Sequence, residues 1–261
     1  MLEQLLIAWA GLSAALWLLW WWQTRSQDAS SVDAAWALGI GACAVWYAAS
    51  GDGDPARRWL VAALIGTWAL RLGLHLVLDR VLRASAEDGR YAAMRAHWGA
   101  SANAHFAWFY QAQALAALLF SWPFLVAAHD PRPLGLSDLL AVAWWASTLA
   151  MVTVADRQLA RWRADPAHQG RTCRGGWWRY SRHPNYFFEW LHWFAYVALA
   201  WGGPGGPWTF AIPALLLVLL LFVTGIPYVE ARALKTRGDD YRRYQRETSV
   251  FVPLPVRQTS G

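Results

Sequence analysis

The chain has 261 residues, of which 57% are apolar and only 15% are charged, and its formal net charge is +6. Soluble domains keep about a quarter of their residues charged, so this composition excludes an ordinary soluble domain and indicates a lipid bilayer as the solvent. The basic excess would also suit a nucleic-acid partner, but we expect none, because the Lys and Arg residues flank apolar blocks as they do beside a membrane.

Seven apolar blocks, taken in chain order, have the length that a membrane helix needs. A span requires roughly 20 residues to cross ~30 Å of hydrocarbon. We therefore predict an all-helical, polytopic membrane protein with a single domain over residues 1–261. The predicted spans are 2–22, 32–50, 59–80, 104–128, 134–155, 184–203 and 208–225.

The basic residues predict the orientation of these spans. If the N-terminus lies outside, all but four of the 23 Lys and Arg residues, Arg83 among them, fall on the cytoplasmic side, where basic residues collect. The four exceptions are Arg57, Arg58, Arg71 and Arg132. We therefore expect an N-out, C-in protein. A site built from loops would use the long cytoplasmic segments 81–103, 156–183 and 226–261.

The cysteine content argues against a disulfide or a metal centre. Cys43 lies within a predicted span and Cys173 in a predicted loop, so the two thiols are at different depths. The sequence has no Cys-x-x-Cys and no His-x-x-x-His pair. We therefore predict no metal site.

The densest group of polar and aromatic residues runs from Gly175 to Tyr186. Pro184 suits the first turn of a helix, so the sixth span is predicted to begin there with its backbone N–H groups unpaired. These groups, with the guanidinium groups of Arg179 and Arg182, would bind a phosphate or pyrophosphate. The alternative is a basic flank that only orients a Pro-started helix.

Polar residues also occur inside the predicted spans. Asn185 and Glu189 are four residues apart and share one helix face, and a carboxylate in a span normally faces a cavity or a partner. Glu189 is therefore a candidate acceptor for a ligand hydrogen bond. The alternative is an interhelical pair with Arg71 or His75.

A second polar stripe lies in the third span. Arg71, His75 and Asp79 recur at four-residue spacing, and Asp33 begins the second span at the same level. The four are expected to converge on one pocket, with an acid that polarises a carbonyl group. The alternative for Asp79 is simple solvation at the end of the helix.

The C-terminal segment reads as an amphipathic helix. Pro227 is predicted to end or kink the seventh span, and the Arg/Tyr-rich stretch 241–246 follows it. The segment would serve as a surface anchor or as a lid over a nucleotide.

Seven short motifs, in order along nearly the whole chain, resemble the steroid 5α-reductase superfamily and specifically its bacterial DUF1295 branch. They are Ser31-Val32-Asp33-Ala34-Ala35-Trp36, Trp68-x-x-Arg71-Leu72-x-x-His75, Glu87-Asp88-x-Arg90-Tyr91, Ala155-Asp156-x-Gln158-Leu159, the Trp178–Glu189 block, Gly225-Ile226-Pro227 with Glu230, and Tyr241-x-x-Tyr244 with Thr248-Ser249-x-Phe251-x-Pro253.

The resemblance implies a reductase of the bacterial inner membrane that takes hydride from NADPH at the cytoplasmic side and reduces an activated double bond of a lipid or steroid-like substrate. Residues 1–155 would form the substrate-side bundle and 156–261 the cofactor-binding part. The implied cofactor residues are Asp156, Arg163, Arg179, Tyr180, Arg182, His183, Asn185, Tyr186, Glu189, Glu230, Tyr241 and Tyr244. Asp33 matches the acid that engages the substrate carbonyl, and Arg71 and His75 match the substrate-facing third span.

Two residues depart from the pattern of that branch. Phe188 stands where a Gly usually precedes Glu189, and Val152 stands where a polar or acidic residue is common. Two alternatives therefore stay open. One is an S-adenosylmethionine-dependent methyltransferase similar to isoprenylcysteine carboxyl methyltransferase, which shares the Arg-His-Pro-x-Tyr element. The other is a non-catalytic, lipid-binding membrane protein.

Overall fold

The computed structural model describes residues 1–82 and 86–257. Arg83, one of the basic residues used to orient the spans, lies outside the described residues. The regular elements of the described ranges are helices, and their only β-type pairing is one isolated bridge between Ser181 and Ser249. The predicted all-helical class is confirmed.

The described part of the chain contains ten α-helices. They are α1 (Leu2–Ser26), α2 (Val32–Ser50), α3 (Pro55–Val77), α4 (Gly89–Trp98), α5 (Ala102–Phe120), α6 (Trp122–Ala127), α7 (Leu136–Ala164), α8 (Pro184–Ala200), α9 (Ala211–Val218) and α10 (Ile226–Glu247). π-helical turns extend α3 over Leu78–Leu82 and α9 over Leu219–Val223.

Six helical segments of the described residues are long and apolar enough to cross a membrane. They are Leu2–Ser26, Val32–Ser50, Pro55–Leu82, Gly89–Ala127, Leu136–Ala164 and Gly206–Glu247. The polytopic membrane class predicted from the sequence is therefore confirmed. The predicted sixth span corresponds to α8, a shorter helix of 17 residues.

Several helix ends differ from the predicted spans for local reasons. Helix α3 begins at Pro55, because the Asp54 carboxylate caps it by accepting the Arg57 N–H at 2.9 Å. The fourth span is broken at Ser121, next to Pro123. Helix α7 continues to Ala164 instead of ending at 155, since the residues beyond 155 are mostly good helix formers.

The chain divides into two compact units. Unit 1 contains residues 1–135 and 199–209, and unit 2 contains 136–198 and 210–261. The sequence had grouped the fifth span with the N-terminal bundle. In the structure α7 belongs to unit 2, because its polar side chains bond to α8, as described below.

Helices α2 and α3 form the tightest packing in unit 1. Gly41 faces α3 so closely that an added Cβ would lie 2.7 Å from the Cβ of Ala69, which is the small-residue packing expected between membrane helices. Near this contact Trp36 packs edge-on against Trp68 and Phe120. These aromatic side chains thus form part of the interior of unit 1.

A buried ion pair lies at the end of unit 1 that carries the 51–54 and 128–135 loops. The side chains of Arg57 and Asp130 are 2% and 0% exposed, and Arg57 Nε lies 3.5 Å from Asp130 Oδ2. The Arg57 guanidinium also donates to the carbonyl oxygens of Arg132, Pro133 and Leu199 at 3.2, 3.3 and 3.0 Å. It therefore ties the 128–135 loop and the end of α8 to the start of α3.

Candidate functional site

The predicted anion site lies at the start of α8, which begins at Pro184 as expected. In the first turn the Asn185 side-chain amide donates to Asp156 Oδ1 on α7 at 3.1 Å. Both side chains are half-buried. The structure thus joins two residues of the predicted cofactor set that are far apart in sequence.

A cavity of about 300 Å³ in unit 2 is lined by Gln158, Gly176, Trp177, Arg179 and Tyr180. Gln158 Oε1 accepts the backbone N–H of Trp177 at 2.9 Å. Gly176 has φ +59°, and a Cβ there would overlap the Gln158 amide, so only glycine fits beside it. Gln158 therefore holds the wall of the cavity, a role that its place in the Ala155–Leu159 motif did not reveal.

The two departures from the family pattern have different surroundings. Phe188 is buried in α8 with its ring centroid 4.9 Å from that of Trp177, which lines the cavity. Val152 is buried on α7 and forms part of the core of unit 2. Phe188 thus shapes the cavity wall through Trp177, whereas Val152 contributes packing.

Glu230 on α10 bonds to four other residues of the C-terminal part, and the five side chains form one network. Its Oε1 lies 2.6 Å from Arg182 Nε, 3.3 Å from His183 Nε2 and 3.3 Å from the Tyr241 hydroxyl. Its Oε2 accepts from Gln245 Nε2 at 2.8 Å. Four members were predicted to contact a cofactor, but in the structure they contact one another.

The C-terminal segment after α10 is bound to the loop that precedes α8. Arg182 Nη1 donates to the carbonyl oxygens of Gln245 and Thr248 at 3.0 and 2.7 Å, and the Arg182 backbone N–H donates to that of Ser249 at 2.8 Å. The buried Tyr244 hydroxyl bonds to the carbonyl oxygens of Trp178 and Ser181. Arg182 and Tyr244 therefore act as internal clamps.

The remaining predicted cofactor residues are more open. Arg163, Arg179 and Tyr180 are exposed. Tyr186 stacks on His183 with ring centroids 5.6 Å apart. Glu189 is half-buried, one turn after Asn185. Arg179 and Tyr180 are exposed and also line the cavity.

Asp33 in unit 1 lies in a dense ionic cluster instead of an open pocket. Its Oδ2 accepts from Arg80 and from Arg90 Nη2, the latter at 2.5 Å, and its Oδ1 accepts from the Tyr91 hydroxyl at 2.6 Å. Asp88 pairs with the same two arginines. Asp33 is thus placed as an acceptor that orders the start of α4, which the sequence did not predict.

The predicted stripe on α3 does not meet Asp33 as a group. His75 and Asp79 are both exposed, and Arg71 is half-buried. The residue that reaches Asp33 from this helix is Arg80, one position beyond the stripe. Asp79 lies in the π-helical stretch Leu78–Leu82, whose wider turn moves it off the four-residue spacing assumed from the sequence.

The state of His183 leads to a testable pH dependence. Burial lowers the pKa of His183 from its ordinary value of 6.5, and the neighbouring Glu230 carboxylate opposes this shift only in part. The neutral ring donates its Nε2–H to Glu230. When the pH falls, this histidine becomes protonated in the unfolded chain before it does so in the folded protein. The free energy of unfolding should therefore fall as the pH drops below about 6.5.

We expect wild-type protein to lose up to about 1.4 kcal/mol more than His183→Asn between pH 7.5 and pH 5.5. The measurement is the unfolding midpoint in detergent at both pH values. The other histidines are common to both proteins, so their titration cancels. An equal loss in the two proteins would contradict the assignment of a buried, neutral His183.

A family model described as "Protein of unknown function (DUF1295)" matches residues 19–248. The chain belongs to the DUF1295 family. No curated protein and no solved structure matches it. The match covers the α7–α8 contact, the cavity and Glu230, so this DUF1295 protein carries its candidate site within the family's shared region.

Proposed function

We propose that this DUF1295 protein is a membrane-embedded reductase that binds NADPH on unit 2 and passes hydride to an activated C=C bond of a lipid or steroid-like substrate. The start of α8 carries the proposal. There Asn185 is held by Asp156, and cavity-lining residues precede it in the chain. The resemblance of the motifs to the steroid 5α-reductase superfamily supplies the reaction type.

The residues at this site suit a dinucleotide in charge and shape. Arg179 is exposed and lines the cavity, so its guanidinium is available to a phosphate. The N-terminus of α8 adds the positive end of a helix dipole. Trp177 and Tyr180 provide aromatic surface. We assign direct phosphate contact to Arg179 and an indirect role to Arg182, whose guanidinium is used by Glu230 and the C-terminal segment.

NADPH, when bound, supplies the hydride, and the protein's own residues would hold the two reactants and exclude water. Asp33 is our candidate on the substrate side, together with Arg71 and His75. Because both oxygens of Asp33 accept hydrogen bonds, we propose that it acts by holding Arg90 and Tyr91 and not by donating a proton.

The proposal includes seven spans, with the N-terminus outside and the C-terminus in the cytoplasm of a bacterial cell. Helix α8 would be the sixth span in chain order and would bring the six long apolar segments to seven spans, since its 17 residues reach about 26 Å at 1.5 Å per residue, near the lower limit for a membrane helix. The distribution of basic residues supports this orientation. It would give the candidate site access to cytoplasmic NADPH.

One observation favours a second candidate, a methyltransferase that uses S-adenosylmethionine. Arg182 is committed to internal acceptors, which leaves fewer cations for phosphates. S-adenosylmethionine carries no phosphate, so its binding site would need fewer cationic side chains. The two cofactors can be compared directly in a binding assay.

We expect NADPH at ten times its dissociation constant to stabilise the detergent-solubilised protein by about 1.4 kcal/mol, a Tm rise of about 3–6 °C. Asn185→Ala should abolish the rise. Arg179→Gln should weaken it, while Arg246→Gln, which removes another exposed arginine, should leave it unchanged. No rise with millimolar NADPH would refute the reductase proposal, and a rise with S-adenosylmethionine alone would select the methyltransferase.

A further inference from the structure

A buried chain of polar side chains crosses the interface between α7 and α8 within unit 2. Trp145 Nε1 lies 2.9 Å from the Tyr196 hydroxyl, which lies 2.9 Å from His192 Nε2. His192 Nδ1 lies 3.1 Å from Thr148 Oγ1. Thr148, His192 and Tyr196 are 5%, 0% and 1% exposed. Neither the proposed cofactor site nor the Asp33 cluster uses these residues.

The chemistry of the donors gives this chain a direction. The Trp145 indole can only donate, so the Tyr196 hydroxyl accepts from it. Thr148 uses its hydroxyl proton on the Trp144 carbonyl oxygen at 2.8 Å, so it must accept from His192. The His192 ring therefore carries its proton on Nδ1.

The same two helices also carry the Asp156–Asn185 contact. His192 lies seven residues after Asn185 on α8, and Thr148 lies eight residues before Asp156 on α7, so each pair is about two turns apart on one helix face. The two contacts are therefore rungs of one antiparallel interface. Trp144 adds a third rung by donating to the Leu191 carbonyl oxygen at 2.8 Å.

We infer that His192 is a positioning residue, which fixes the register of α8 against α7 and thereby holds Asn185 on Asp156. Lipid tails provide no hydrophobic force between membrane helices, so polar contacts and close packing determine how such helices align. A rotation of α8 by one residue would turn His192 by about 100° and break its bonds to α7. The inference rests on the proposed function only where it treats Asn185 as a ligand-binding residue.

The decisive experiment is a double-mutant cycle between Thr148→Val and Asn185→Ala, read as Tm in detergent. Valine keeps the shape of threonine and removes the acceptor for His192 together with one hydroxyl bond inside α7, so the variant should fold, with a Tm lower by about 2 °C. Because loss of the rung at Thr148 already loosens Asn185, the Tm loss of the double variant should be smaller than the sum of the single losses. Additive losses would overturn the inference, since separated sites without coupling add.

Ser147 provides the matched control. It is the neighbour of Thr148 and donates likewise to a carbonyl oxygen one turn earlier in α7, but it is exposed. The Ser147→Ala and Asn185→Ala losses should be additive. Coupling of the same size in this control cycle would also overturn the inference.

Nitrogen NMR of protein labelled with ¹⁵N-histidine provides a second readout, which general loss of stability would not imitate. The His192 signal, identified by its absence in His192→Gln, should show a proton on Nδ1 in the wild type and not in Thr148→Val. A ring protonated on Nε2 alone in the wild type would overturn the inference. Neither measurement uses NADPH, so failure of the proposed function leaves both tests intact.

Discussion

Arg57→Ala should lower the free energy of unfolding by about 3–5 kcal/mol, the loss expected when one partner of a buried ion pair is removed. The substitution deletes the buried member of the two guanidinium groups that pair with Asp130. It also leaves the carbonyl oxygens of Arg132, Pro133 and Leu199 without this donor. The measurement is the unfolding midpoint of the detergent-solubilised protein, with expression as a second readout.

Arg132 makes the matched control for Arg57. It pairs with the same carboxylate at 2.8 Å, but its side chain is 52% exposed, so Arg132→Ala should cost about 1 kcal/mol or less. Arg57→Lys should give an intermediate loss, because an ammonium group cannot reach three carbonyl oxygens in the planar fork geometry. Equal losses for Arg57→Ala and Arg132→Ala would refute the role assigned to the buried guanidinium.

Glu230→Ala should cost about 3 kcal/mol, because it leaves Arg182 and the buried His183 without their shared acceptor. It should also loosen the C-terminal segment, since Arg182 binds both Glu230 and the Thr248 carbonyl oxygen. The unfolding midpoint measures the loss of stability, and the rate of limited proteolysis within 249–257 measures the loosening of the C-terminal segment. Faster cleavage is expected in this variant than in the wild type.

Asp239, which follows the kink at Gly238 within α10, is the control for Glu230. Its carboxylate is 92% exposed and pairs with Arg242 on the surface, so Asp239→Ala should change stability by less than about 0.5 kcal/mol. If Glu230→Ala left the midpoint unchanged yet abolished NADPH binding, the internal network would be the wrong account of Glu230. A direct cofactor contact, as the family resemblance implies, would then be the better one.

The tertiary structure divides nine of the twelve predicted cofactor residues into two groups. Asp156, Asn185, Arg179 and Tyr180 lie at the cavity or at the start of α8. The second group is Glu230 with Arg182, His183 and Tyr241, which bond to it, together with Tyr244, which bonds to the loop before α8. We propose that the first group contacts the ligand and that the second keeps the loop before α8 in place.

Much of the fold was predictable from the sequence. Long apolar blocks predicted the membrane helices, since a backbone in hydrocarbon must satisfy its own hydrogen bonds. Pro184 predicted where α8 begins, because proline fixes φ and lacks an N–H. Pro227 likewise predicted the break before α10, which starts at Ile226. These are local properties, and a single sequence displays them.

The partners of the polar side chains could not be predicted, because they depend on which helices become neighbours. Helical spacing placed Arg71, His75 and Asp79 on one stripe, yet the residue bound to Asp33 from that helix is Arg80. Gln158 and His192 carried no signal of their contacts with Trp177 and Thr148. The sequence by itself determined that this chain is a bundle of membrane helices with α8 starting at Pro184. Only the tertiary structure decided which charges are open to a ligand and which neutralise one another, since that depends on distances between residues remote in the chain.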